Sequence, residues 1–250
     1  MTSLIDLTGA TTLVTGASRG FGRATAGALC ASGARVVGLA RDPDDLAKAQ
    51  AELGDSFIPV TGDAADPAVA ERLITEHRPR VLILNAGAIP ITRPVHEHTW
   101  ETFSRNWESD VKHAFSWIKL ALTLPLERGS IVVAVSSGAA LGGSPISGGY
   151  AGAKATIRFL AAYAAEESTR NDLGITFLSV LPTMTPGTGI GESGVEGYSK
   201  RQGVDRATFI ERFGRTPTPE ETGQAIVDLA RNPAHEHTAY RLTLDGPVGL

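Results

Sequence analysis

Tyr150 and Lys154 stand four residues apart in the segment YAGAK. On a helix that spacing puts both side chains on one face. An ammonium beside a phenol favours the phenolate, and a phenol so placed works as a proton donor and acceptor near neutral pH. A Y-x-x-x-K pair also recurs by chance on helix surfaces. Its weight here comes from the strand just upstream, which ends in Ser136-Ser137. The chemistry implied is general acid–base catalysis, with Tyr150 as its carrier.

A second cluster lies near the amino terminus, in Thr15-Gly16-Ala17-Ser18-Arg19-Gly20-Phe21-Gly22. Glycines at 16, 20 and 22 allow a tight turn and a close backbone approach to a phosphate. The helix that follows would point free N–H groups and its positive dipole end at that phosphate. The spacing departs from the G-x-G-x-x-G fingerprint, but its place between a first strand and a first helix reads as a dinucleotide site. An acidic residue about 20 positions further on often holds the ribose of NAD. Here the second strand ends in Leu39-Ala40-Arg41, with no acid at that place. Arg41 and Arg19 suit a 2′-phosphate, and Ser18 adds a hydroxyl. The cofactor expected is NADPH/NADP+, ahead of NADH. Asp42 precedes Pro43 and reads as a helix cap.

Positioning these groups requires a particular set of elements. Short, continuous apolar runs recur at Thr11–Thr15, Arg35–Ala40, Phe57–Thr61, Val81–Leu84, Ile131–Val135, Ile175–Leu181 and Arg241–Leu244. Continuous rather than alternating runs mark strands buried on both faces of a parallel sheet. Helix-like stretches separate them: Phe21–Ala31, Pro43–Leu53, Pro67–Glu76, Thr99–Leu124, Gly149–Ser168 and Thr218–Ala230. Strand and helix alternate throughout, so the expected fold is a doubly wound α/β domain spanning residues 1–250. Pro182–Gly203 is the one long irregular stretch. It reads as an active-site lid, part of a substrate loop over about residues 182–215.

A net charge of −4 argues against a nucleic-acid binder. No stretch approaches the ~20 apolar residues of a membrane span, and the amino-terminal MTSLIDLTGATTLVTG has no signal-peptide pattern. Cys30 is the lone cysteine, a small buried filler by expectation, and suits a reducing cytoplasm. His96 with His98, and His235 with His237, have H-x-H spacing but fall in polar stretches without cysteine partners. They read as solvent-exposed side chains and not as metal ligands. Glu220-Glu221 after Thr218-Pro219 reads as a helix start. No metal is expected.

Together these motifs resemble the short-chain dehydrogenase/reductase family, in its single-domain form of about 250 residues. The resemblance runs from TGASRGFG through LNAG (Leu84–Gly87) and the serine strand to YAGAK, and on to LDG (Leu244–Gly246). It implies a seven-stranded Rossmann-like sheet of order 3-2-1-4-5-6-7, with the cofactor at the carboxyl ends of the strands. It implies that Tyr150 is the catalytic acid/base. Lys154 would bind the nicotinamide ribose and favour the phenolate. Ser137, thirteen positions before the tyrosine, would hydrogen-bond the substrate oxygen, with Ser136 structural. Asp63 resembles the residue at the adenine amino group, and Asn85, Ala86 and Gly87 resemble the turn beside the adenosine ribose. Pro182 and Thr185 stand in the region that meets the nicotinamide carboxamide. The activity implied is hydride transfer between NADP(H) and a small carbonyl or alcohol, in a homodimer or homotetramer.

Three features depart from the family pattern. Asp110 occupies the place of an Asn in the proton relay, with His113 at a glycine position. The carboxylate of Asp110 would either pair with Lys154 and act in the relay with altered pH behaviour, or turn away. After the sixth strand Pro182-Thr183 replaces Pro-Gly, and Gly187 holds the expected threonine position, with Thr185 and Thr188 nearby. Leu244–Pro247 (LDGP) replaces the usual D-G-G and bears on carboxyl-terminal packing between subunits. The alternative function is a non-catalytic NADPH-binding regulator on the same fold. A Rossmann-like methyltransferase is a remote third. The uncharged segment Gly138–Gly148 suggests a roomy, neutral pocket for a moderately apolar substrate.

Overall fold

The computed structural model describes residues 4–250. The first three residues of the amino-terminal segment read above lie outside them. Each apolar run forms a strand: β1 Thr11–Thr15, β2 Arg35–Ala40, β3 Phe57–Thr61, β4 Val81–Leu84, β5 Ile131–Val135, β6 Thr176–Leu181 and β7 Ala239–Thr243. All seven are parallel and lie in the order β3-β2-β1-β4-β5-β6-β7. An eighth strand, β8 Gly246–Gly249, corrects the seven-stranded expectation. It returns antiparallel along β7 and forms the outer edge. Gly246 turns the chain at φ +106°, a conformation that favours glycine, and Thr243 Oγ1 donates to its carbonyl at 2.8 Å. The sequence Gly-Pro-Val-Gly has too little apolar character to announce a strand.

The helices are α1 Gly20–Ala31, α2 Pro43–Leu53, α3 Pro67–His77, α4 Trp100–Asn106, α5 Lys112–Thr123, α6 Ala139–Gly142, α7 Tyr150–Arg170, α8 Gly189–Gln202, α9 Arg206–Phe213 and α10 Pro219–Arg231. Their starts follow local chemistry. Asp42 accepts from the N–H groups of Asp44 and Asp45, and Asp66 from that of Ala68, each before a proline at the first helical position. Thr218 and Glu221 form a reciprocal capping box for α10.

The strands bury both faces. One side chain set, with Val14, Val36, Ile83 and Val133, packs against α1 and α10. The other, with Leu13, Leu82, Val132 and Phe177, packs against α3, α5 and α7 around Trp117. At the crossing of α1 and α10 a Cβ on Gly223 would stand 2.6 Å from the carbonyl carbon of Ala24, so only glycine permits that approach.

Two further expectations are corrected. The helix expected over Thr99–Leu124 is broken between α4 and α5 by a π-helical turn, Trp107–Val111. The stretch expected to be irregular, Pro182–Gly203, carries α8, and α9 follows it. Its glycines masked the helix. Several of them are required by close packing, such as Gly194 against Met184 and Gly191 against the Thr185 carbonyl.

Candidate active site

The carboxyl ends of β1, β2, β4, β5 and β6 open into one cleft of about 1210 Å³. The glycine turn forms its first wall. Gly16 has φ +67°, and a Cβ there would lie 2.9 Å from both Ala86 Cα and Asn85 Nδ2. Asn85 Nδ2 donates to the carbonyls of Thr15 at 3.0 Å and Gly16 at 3.2 Å, so this side chain ties the first turn to the fourth strand. Gly22 does not line the cleft. It packs under the turn, against the Gly16 carbonyl and Asn85. No side chain caps the first N–H groups of α1, which leaves them available to an anion.

Ser18, Arg19, Gly20, Phe21, Arg41, Asp63, Asn85, Ala86 and Gly87 all line the same cleft. Neither Arg19 nor Arg41 has an acidic partner among the described residues. Asp42 uses Oδ1 on the backbone N–H groups of α2 at 2.9 and 3.1 Å, as its cap role requires. Asp63 Oδ1 accepts from the Ala65 N–H.

At the far end β5 delivers Ser136 and Ser137, and α7 begins at Tyr150. Gly149 donates its N–H to the Phe103 carbonyl at 3.1 Å, which fixes the start of the helix. Ser136 donates to the Lys154 carbonyl at 2.7 Å, tying strand to helix, as its structural reading requires. Ser137 Oγ accepts from the Ala139 N–H at 3.2 Å, so its own proton is free to donate. Lys154 Nζ stands 5.7 Å from the Tyr150 ring centre.

Asp110 is fully buried and does not line the cleft. It stands behind Lys154, with Oδ2 3.2 Å from Nζ. Oδ1 accepts from the Ala88 N–H at 2.8 Å and the Ser109 hydroxyl at 2.7 Å. Asn106 braces the same point, donating to the Ala88 carbonyl at 2.8 Å. Lys154 also donates to the Val135 carbonyl at 3.2 Å. Burial alone would depress the Lys154 ammonium, but Asp110 and Tyr150 outweigh it and hold the group above the usual lysine value. Of the two readings open for Asp110, the geometry shows the pairing: its carboxylate touches Lys154 and does not line the open cleft.

His113 is also buried, and its Nε2 lies 3.1 Å from Thr15 Oγ1. Burial and Lys154 push it down to about 4 against the pull of Asp110, so it is neutral in the folded protein. Folded His113 resists protonation that an unfolded chain accepts at about pH 6.5. Stability is therefore untouched above pH 6.5 and falls as pH drops from there toward 4, by about 3 kcal/mol at most. His113→Gln is expected to flatten that acid decline in a melting-temperature series. An unchanged slope would show that His113 is not its source.

A model of the short chain dehydrogenase family matches residues 10–198. The chain belongs to the short-chain dehydrogenase family. Among relatives, L-rhamnose 1-dehydrogenase (NAD(P)(+)) of Sphingomonas sp. strain SKA58 is 31% identical, with 96% of each chain covered. Carbonyl reductase [NADPH] 2 of Sus scrofa is 33% identical over 53% of this chain and 55% of its own length. In fold, the 3-ketoacyl-(acyl-carrier-protein) reductase of Brucella melitensis, solved with NADH, superposes with a TM-score of 0.78 at 21% identity, covering 94% of this chain and 97% of that one.

Against the family expectations, most candidate residues converge on the cleft, including Ser137, Tyr150, Lys154, Pro182 and Thr185. Thr185 spends its hydroxyl on the carbonyls of Pro217 and Thr183, at 3.0 and 3.2 Å. Thr188 caps α8. Two of the histidines expected at the surface are half-buried instead: His98 contacts the Arg93 carbonyl and Thr102, and His235 packs against Tyr240. Cys30 is half-buried beside the core rather than inside it. No cluster of metal-ligating side chains occurs among the described residues, and no described helix is long and apolar enough to cross a membrane. Asn106 was not anticipated. Its signal was the four-residue spacing to Asp110, which puts both on one helical face.

Proposed function

We propose that the protein is an NADP(H)-dependent oxidoreductase that interconverts a ketone or aldehyde and an alcohol, with Tyr150 as general acid and base. One observation carries this reading. Tyr150, Lys154 and Ser137 line the same cleft as the uncapped start of α1 and the unpaired Arg19 and Arg41. Gly16 makes the tight left-handed turn against Ala86, and the uncapped N–H groups at the start of α1 that follow suit a phosphate.

A reduced nicotinamide held by the glycine turn, Arg19, Arg41 and Lys154 would supply the hydride for the carbonyl carbon. As charge gathers on the substrate oxygen, Tyr150 donates its phenolic proton to it. Ser137 donates a hydrogen bond to the same oxygen. Lys154 keeps a positive charge beside the phenol. Two of its three N–H groups serve Asp110 and the Val135 carbonyl, which leaves the third for the ribose hydroxyls. Asn85 holds the glycine turn and the fourth strand together. Oxidation of an alcohol runs the same path backwards.

The preference for the phosphorylated cofactor rests on Arg19 and Arg41. Each charge-assisted contact is worth about 1.5–3 kcal/mol. Arg19→Ala/Arg41→Ala is expected to weaken NADPH binding by at least ~10-fold in equilibrium titration while NADH binding stays nearly constant. Equal losses for both nucleotides would refute the assignment.

The 250 residues are proposed to work as one domain, with the segment from 182 to about 215 covering the substrate. A reducing cytoplasm is the proposed location, as the lone Cys30 suits it. A homodimer or homotetramer is proposed through α5 and α7, which pack side by side and leave Phe115, Phe159 and Tyr163 more than half exposed. An apolar stripe of this kind marks an interaction face. Phe159→Glu is expected to shift the protein to a smaller species in light scattering, and an unchanged mass would place the interface elsewhere.

A further inference from the structure

We infer that the substrate is an uncharged, ring-bearing ketone or secondary alcohol, seated on an aromatic ladder that α8 and α9 build over the cleft. The inference rests on the oxidoreductase reading above. Tyr198 and Phe209 stack at 6.2 Å with planes 6° apart, and Phe209 and Phe213 at 5.8 Å and 20°. All three rings line the cleft. Phe209 is nearly buried, whereas Phe213 is 40% exposed. An aromatic face left open at a binding cleft favours flat or cyclic apolar groups through burial and offset stacking.

Several polar atoms at this end are already engaged with one another. Thr92 Oγ1 and Ser193 Oγ share a hydrogen bond at 2.8 Å. Ser144 Oγ and the Tyr198 hydroxyl share one at 2.6 Å. Each pair joins α8 to a loop on the opposite wall and takes up one of the two O–H donors it holds. What remains is Ser137, Tyr150, the exposed Gln202 and the unpartnered hydroxyl of Ser147. Ser137 and Tyr150 serve the carbonyl oxygen, which leaves few unengaged side chains for further polar atoms. A sugar or other polyol would have to compete with these cross-wall links for hydrogen-bond partners, at a cost for each hydroxyl left unmatched.

Charge follows the same division. Arg41, Asp42, Asp44, Asp45 and Asp63 follow the ends of β2 and β3, and Arg19 stands at the start of α1. At the other end Lys154 is paired with Asp110, and of the described lining residues on β5, β6, β7, α7, α8 and α9 only Arg241 is an unpaired cation.

The test is calorimetric binding of 1-tetralone to the NADP+-loaded protein and to Phe213→Ala, beside NADPH-consumption assays with 1-tetralone, L-xylulose and levulinate. Phe213 is partly exposed, so its loss leaves the core intact. The expected result is a roughly tenfold weaker tetralone affinity in Phe213→Ala, and a kcat/KM for tetralone at least tenfold above that for either polar ketone. Tetralone affinity unchanged in the variant, or preference for L-xylulose or levulinate, overturns the inference. Tetralone binding that depends on Phe213 with no turnover of any ketone supports the ladder and sinks the catalytic reading of Tyr150 instead.

Discussion

Tyr150→Phe is expected to lower kcat about 10³-fold while leaving NADPH affinity and melting temperature close to those of the parent protein. General acid–base groups contribute about 10²–10⁴, and in the proposed reaction the phenol hydroxyl carries the proton. The variant keeps the ring, which is 8% exposed and packed at the start of α7. It also keeps the Asp110–Lys154 pair, so the electrostatics behind the ring survive. The measurement is NADPH consumption with a ketone turned over by the parent, beside nucleotide titration. A variant within tenfold of the parent would remove Tyr150 from the chemistry. A variant that loses NADPH binding as well would show a structural role.

Asp110→Ala is expected to be the most destabilising single change in the site. It leaves the Lys154 ammonium buried without its counter-charge, which typically costs about 3–5 kcal/mol. For a chain of this size that corresponds to a fall of about 10 °C in melting temperature. Asp110→Asn separates charge from shape. It keeps an acceptor for the Ala88 N–H, at 2.8 Å in the parent, but removes the negative charge. Burial then dominates at Lys154 and lowers its pKa. The sign follows directly. In the parent the Lys154 value is raised, so its contribution is complete below the unfolded value of about 10.4 and is lost only as pH rises through the higher folded value. In Asp110→Asn the loss moves to lower pH, and the alkaline limb of the kcat profile moves with it. Coincident pH profiles and melting curves for parent and both variants would show that the pair has no role in holding the lysine charged.

The sheet was legible because buried parallel strands leave uninterrupted apolar runs, and β1 to β5 fall where those runs fall. The cleft was legible because its chemistry is carried by local motifs: the glycine turn, the Asn85 turn, the paired serines and the Tyr150–Lys154 spacing. What stayed hidden depended on distant contacts. The helicity of α8 is set by packing against Met184, Thr92 and Ile146, and its six glycines or serines point locally toward a loop. The partner of Asp110 was one of two open readings, since a π-helical turn resets the register of the side chains and no local pattern marks it. His113 at a family glycine position was noticed, but its bond to Thr15 joins residues far apart in sequence.

The two outer strands of the sheet, β3 and β8, each contain a proline, Pro59 and Pro247. A proline cannot donate to a strand laid alongside, and it resists the flat geometry that intermolecular pairing needs. Neither rim therefore offers an unbroken template for a neighbouring molecule. The sheet rims are thereby guarded against the end-to-end strand pairing that builds fibres.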